Sequence, residues 1–257
     1  MNAGGRRIRR VVGRGICAAG VIAMVALPAA AEVDPNADLY NTGPSDATCL
    51  ELYYFSCTSD QRYHGSRWPM YDHPDLTIAV HAAPNTDPEM VASIHAAIAT
   101  WRGVLKTNLP YVSLTDVTDT SAGRKADIDA NYVPHFGGVS RGGQANCVPN
   151  HCEIFMKSEQ PPGGPWRDFT PNRLFVTSLH EIGHALGLGH AYPLTESTDV
   201  MAYGPVWAVF NPETGMYDYQ YKTPIISECD IKGIAANFAW VPERVPPHTP
   251  AVGTIAC

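Results

Sequence analysis

The chain has 257 residues, 45% of them hydrophobic and 17% charged, with 18 Lys and Arg against 25 Asp and Glu for a formal net charge of −7. That composition holds enough apolar material for one core of roughly 150–200 residues and excludes disordered, collagen-like and coiled-coil chains. The acid excess argues against nucleic acid and anionic membranes as partners, and 22 Gly with 22 Pro indicate a loop-rich fold.

Arg6, Arg7, Arg9, Arg10 and Arg14 precede an apolar run from Ile16 to Leu27 that ends in Ala29-Ala30-Ala31. The run is shorter than the ~20 apolar residues of a membrane span, and small residues follow it. Residues 1–31 therefore read as a secretory signal peptide, leaving a secreted chain from Glu32, with the twin-arginine route as a second export reading. Five arginines leave with the leader and no acid does, so 13 basic residues face 25 acidic ones and the net charge becomes −12. Cys17 leaves as well. The remaining Cys49, Cys57, Cys147, Cys152, Cys229 and Cys257 read as three disulfides of an exported protein. Six cysteines allow 15 pairings, of which proximity favours Cys49–Cys57, Cys147–Cys152 and Cys229–Cys257.

Residues 32–66 are polar and sustain no helical period, so they are expected to be an irregular N-terminal segment and a candidate pro-segment. From Asp75, Leu76, Ile78 and Val80 alternate with Thr77, Ala79 and His81 as in a strand. Asp87-Pro88-Glu89 then starts a helix with a cap, a first-turn Pro and an acid at the positive end. Val91, Ile94, Ile98, Trp101 and Leu105 form its apolar stripe. Strands are expected in YVSLTDV from Tyr111, in ADIDANYV from Ala126 and in CEIFMKS after a Gly-rich stretch at 137–144. Thr170-Pro171 opens a second helix that runs through His184 until Gly187 stops it. A last helix is capped by Ser227 with Asp230 at capping-box spacing.

The chemistry lies in HEIGHALGLGH, His180 to His190. On a helix, residues four apart share a face, so His180 and His184 can offer nitrogens to one metal, at about 2.0–2.1 Å for Zn²⁺. Glu181 is badly placed as a third ligand but well placed to bond a water beside the metal, where a general base belongs. Gly187 can take positive φ and turn the chain so that His190 returns as the third ligand. Three neutral histidines leave a fourth position open, as in a catalytic rather than a structural zinc site. An amphipathic helix with surface histidines would have to place all these residues at their offsets by chance in a chain of ten histidines.

HExxHxxGxxH resembles the metzincin zinc proteases. DVMAYG at 199–204 resembles their Met-containing turn, with Met201 as its methionine. The likeness to the matrixin (matrix metalloprotease-like) branch spans about 67–238: Arg67-Trp68, ADID at 126–129, NRLFVTSLHEIGHALGLGH from Asn172 and SECDIKGI from Ser227 follow in that branch's order. The resemblance implies an α+β fold: a twisted, mostly parallel five-stranded sheet, two long helices, and a small C-terminal subdomain with a final helix. It implies a catalytic domain over 67–257, its N-terminal subdomain reaching about 190 and its C-terminal subdomain covering 191–257. The stretch 142–146 would be the edge strand on which an extended peptide docks, the alternative being a plain loop.

Departures from the branch matter. His135 and His151 are isolated where a second, structural zinc is expected, so one zinc is expected here, and no cysteine-switch text precedes Trp68. Tyr203, two residues after Met201, resembles the Tyr that reaches the metal in astacins and serralysins, which implies a zinc contact or stabilisation of the oxyanion, the alternative being a Tyr packed in the pocket wall. His64, His73, His81, His95 and His248 lack metal spacing, while Asp116, Asp119, Asp127 and Asp129 offer either a structural Ca²⁺ site or solvated charge. The expected protein is thus a secreted, monomeric zinc endopeptidase using zinc-activated water with Glu181 as base. Its rivals are a non-catalytic zinc-containing binding or toxin module and a hydrolase of non-peptide amides or cell-wall peptides.

Overall fold

The computed structural model describes residues 42–52, 57, 71–120, 125–133, 142–157, 170–194, 197–202, 206–212, 216–221, 224–245 and 253–257. The leader at 1–31 lies outside them. In chain order the elements are β1 (Cys49–Leu52), β2 (Asp75–His81), α1 (Pro88–Asn108), β3 (Ser113–Asp116), β4 (Ile128–Val133), β5 (Gly143–Val148), β6 (His151–Lys157), α2 (Pro171–Ala185) and β7 (Leu188–Tyr192). After these come β8 (Val206–Asn211), β9 (Met216–Tyr221), α3 (Glu228–Asn237), α4 (Trp240–Glu243) and β10 (Gly253–Ala256).

The main sheet has five strands in the order β3-β2-β4-β6-β5, the first four parallel and β5 antiparallel at the edge. It is the mixed, mostly parallel α+β sheet that the resemblance implies. Parallel neighbours need a crossover, and α1 supplies it between β2 and β3. Ile78 and Val80, Ile128 and Ala130, and Ile154 and Met156 turn to one face and pack with Ile94, Ile98 and Trp101 of α1 and with Leu174, Leu179 and Ile182 of α2. The expected α1 stripe is rotated slightly: Met90, Ala97 and Val104 are buried with it, while Val91 is half-exposed. Because α1 faces both the sheet and α2, its apolar face is wider than one stripe. Trp101 Nε1 donates to Leu179 O at 2.9 Å and so ties α1 to the turn of α2 just before His180.

Within the segment expected to be irregular, Cys49–Leu52 is a strand, and it is the middle strand of a second sheet, β10-β1-β7. Both pairings are antiparallel, Leu50 standing opposite Ile255 and Ala191. This sheet joins the N-terminal segment, the strand after α2 and the C-terminus, and the subdomain boundary expected at about 190 falls inside β7. Disulfides link Cys49–Cys57, Cys147–Cys152 across the β5–β6 hairpin, and Cys229–Cys257 between α3 and the C-terminus. Among the described residues no helix is long and apolar enough to cross a membrane.

Candidate metal centre

Helix α2 begins at its cap, where Thr170 Oγ1 accepts the Arg173 N–H at 3.2 Å and Pro171 takes the first turn. Its last turn presents His180 and His184 one above the other, ring centroids 4.5 Å apart. Gly187 has φ +94°, a left-handed value that suits glycine, and a Cβ there would overlap the Asn237 amide. Asn237 in turn donates to Gly187 O at 2.8 Å, and Tyr71 OH to Ala185 O at 3.1 Å, so side chains satisfy the carbonyls at the helix end. The chain reverses into β7 and brings His190 to 5.5 Å from His180 and 4.8 Å from His184, centroid to centroid. One nitrogen from each of the three lies within 4.8 Å of the others, and among the described residues this is the group that can hold a metal.

Which nitrogen faces inward follows from the partners of the other one. His180 Nδ1 lies 2.8 Å from Val200 O and His184 Nδ1 2.8 Å from Leu188 O. A carbonyl only accepts, so both Nδ1 atoms carry the proton and both Nε2 atoms keep a lone pair. His190 turns its Nδ1 toward Glu51 Oε2, at 4.0 Å. Burial pushes all three imidazoles below the ordinary histidine range. His184 goes well below it, with His180 and His190 adding repulsion; His190 falls to about 3, with help from His180; His180 falls despite its bond to Val200. Neutral imidazoles with inward lone pairs are what a divalent cation requires.

Glu181 is buried on the same helix turn, and the edge strand passes directly over it: a Cβ built on Gly143 would overlap Glu181 Oε1. Met201 is fully buried under the site, its sulfur where a Cβ on Gly183 would stand, and its carbonyl accepts the Ala191 N–H at 2.9 Å. Tyr203, like His64, His135 and His248, lies outside the described residues.

Three of the four acids considered for Ca²⁺ face protein partners. Asp116 faces His95 at 2.5 Å and accepts from Thr118, Asp127 accepts from Thr77, and Asp129 faces His81 at 2.8 Å and His151 at 3.6 Å. Among the described residues they form no group with the spacing of metal ligands. Sequence reasoning missed Glu51. An acid within CLEL follows no metal spacing, and only strand pairing brings it to His190.

No family model matches the chain. It is 25% identical over 203 residues to matrix metalloproteinase-16 of Homo sapiens and, equally, of Mus musculus, matches that cover 74% of this chain. The chain spans 30% of the length of these curated relatives. The solved structure of myroilysin superposes with a TM-score of 0.36 at 12% identity, over 63% of this chain and 79% of that one. In motif and in sequence, this chain resembles the matrixin branch of the metzincins.

Proposed function

We propose that this chain is a secreted zinc-dependent endopeptidase, exported behind a leader at 1–31, with its catalytic domain in 67–257. The observation that carries the reading is the convergence of three neutral imidazoles, His184 and His190 buried and His180 half-buried, on one point beside the buried Glu181. Three nitrogen donors match a catalytic zinc site, whose fourth position is left for water or substrate. His180, His184 and His190 would hold the ion through Nε2, and Met201 supports them from below. When bound, the ion supplies a Lewis acid that polarises a carbonyl and lowers the pKa of water from 15.7 to about 7.

Glu181 accepts the proton of the attacking water and returns it to the leaving amine, so hydrolysis needs no covalent intermediate on the protein. Among the described residues strand β5 is one edge of the main sheet, and Gly143 places that edge against Glu181. An extended peptide added to it as a further strand would be carried past the base.

The test is casein cleavage by the wild type and by Glu181→Gln, with zinc measured in both. Wild type is expected to cleave, and the variant to hold equal zinc with activity lower by about 10²–10⁴-fold. Equal zinc in both with no cleavage by either would overturn the reading in favour of a non-catalytic binding module. Cleavage confined to cell-wall peptides would replace the protein substrate class.

A further inference from the structure

We infer that Glu51, from the N-terminal strand β1, is a positioning residue for the third histidine of the metal centre, an inference that rests on the zinc reading of that site. Three observations carry it. The first is register. Leu50 pairs with Ala191 and Leu52 with Leu188, so one residue of β1, Glu51, stands opposite two of β7, Gly189 and His190. Such a bulge re-aims side chains. The flanking Leu50, Leu52, Leu188 and Ala191 all enter the core, whereas Glu51 and His190 are left facing each other.

The second observation is close approach. A Cβ at Gly189 would overlap the Cβ and carbonyl oxygen of Glu51, so β1 lies directly against the residue before His190. The third is how the carboxylate is held. Glu51 is 3% exposed, and its Oε1 accepts the Cys57 N–H at 3.1 Å. The Cys49–Cys57 disulfide brackets Glu51 and brings that donor back to it. With Oε1 anchored, Oε2 is the oxygen that faces His190 Nδ1.

At 4.0 Å the pair is longer than a hydrogen bond, so the interaction is electrostatic in a buried setting where such fields are poorly screened. A buried carboxylate is expensive unless positive charge lies near it. His180 and His184 have carbonyl oxygens behind them, whereas His190 has an anion there. The negative charge of a carboxylate behind a metal-bound imidazole raises its basicity as a ligand. It also offsets the charge of a cation held by three neutral donors. Strand β1 would therefore belong to the working protein rather than to a segment that is discarded.

The test compares wild type, Glu51→Gln and Leu50→Val in three measurements on the full chain: Zn²⁺ affinity by chelator competition, the visible spectrum of the Co²⁺-substituted protein, and urea unfolding of the metal-free protein. Glu51→Gln keeps size and an acceptor for Cys57 but removes the charge. It is expected to weaken Zn²⁺ binding about 10-fold or more and to shift the Co²⁺ bands, with metal-free stability undiminished. Leu50→Val, which loosens the same strand, is expected to lower stability while leaving affinity and spectrum at wild-type values. Wild-type affinity and spectrum in Glu51→Gln would overturn the role of Glu51 and leave the zinc site standing. A wild type that binds no Zn²⁺ would overturn both.

Discussion

The protein holds two groups of histidines, and they are treated in opposite ways. On the main sheet and its flanks, His73, His81 and His151, with His95 on α1, are partly exposed, and each faces a carboxylate: Asp127 at 3.3 Å for His73, Asp129 at 2.8 Å for His81, Asp116 at 2.5 Å for His95 and Asp129 at 3.6 Å for His151. At the end of α2, His180, His184 and His190 face one another, and burial holds them neutral. A carboxylate on the inward nitrogen would tie up the lone pair that a cation needs. At the metal centre the fold places a carboxylate, Glu51, behind one ring instead. A histidine's partners thus distinguish its roles better than its abundance does.

The strongest way to break this division is to exchange losses between the groups. His184→Ala is expected to reduce zinc from about one ion per chain, the complement of a single catalytic site, to near zero. His81→Ala and His151→Ala should leave the ion in place. Exposed ion pairs of this kind contribute about 0–1 kcal/mol, so these two variants should also unfold near the wild-type urea midpoint. Zinc loss from either outer variant would show that the two groups are not separate.

The comparison sharpens at Gly143, where the main sheet and the metal centre meet. Alanine there would push Glu181 aside, since the three atoms nearest its Cβ all belong to that side chain. Misplacing a catalytic group by about 1 Å can cost 10²-fold, so Gly143→Ala is expected to lose about that much peptidase activity while keeping its zinc. Equal losses of zinc and activity would mean that the substitution acts on the histidines.

How far the sequence revealed these regions depended on whether the signal was local. Leu76, Ile78 and Val80 declare β2 by alternation, and Thr170-Pro171 and Gly187 mark the two ends of α2. His180, His184 and His190 were legible because one helix turn and one glycine turn fix their offsets. Strands β1 and β10 were not. CLEL and GTIA are four residues each, and Cys49 pairs with Ala256 near the other end of the chain. Nothing in four residues encodes a partner so distant. Glu51 was hidden for the same reason, since its role follows from a bulge between strands that only the fold brings together. The Cys49–Cys57 pair, by contrast, was suggested by proximity alone.

Burial shifts the titration of an acid as well as of the histidines. Asp230, fully buried on α3, accepts the Ser227 N–H at 2.8 Å through Oδ2, while its Oδ1 and the Oδ1 of buried Asp199 have no hydrogen-bond partner among the described residues. Burial first, and the Asp199 carboxylate second, raise the Asp230 pKa well above the ordinary carboxylate value, against the bonds from Ser227. A carboxyl whose pKa is raised by folding binds more protons folded than unfolded, so stability is lost as pH rises from about 3.9 through the folded value. The histidine trio has the opposite slope. Its pKa values are lowered by folding, so its contribution to metal-free stability is lost as pH falls below about 6.5. The difference between Asp230→Asn and wild type isolates the carboxyl. Urea unfolding of the metal-free proteins from pH 4 to 8 is expected to give similar stabilities at pH 4 and a variant more stable by about 1 kcal/mol at pH 7, the scale of one unsatisfied buried group. A difference that stays flat across that range would mean that Asp230 titrates as an ordinary carboxylate and that the neutral zone ends at the histidines.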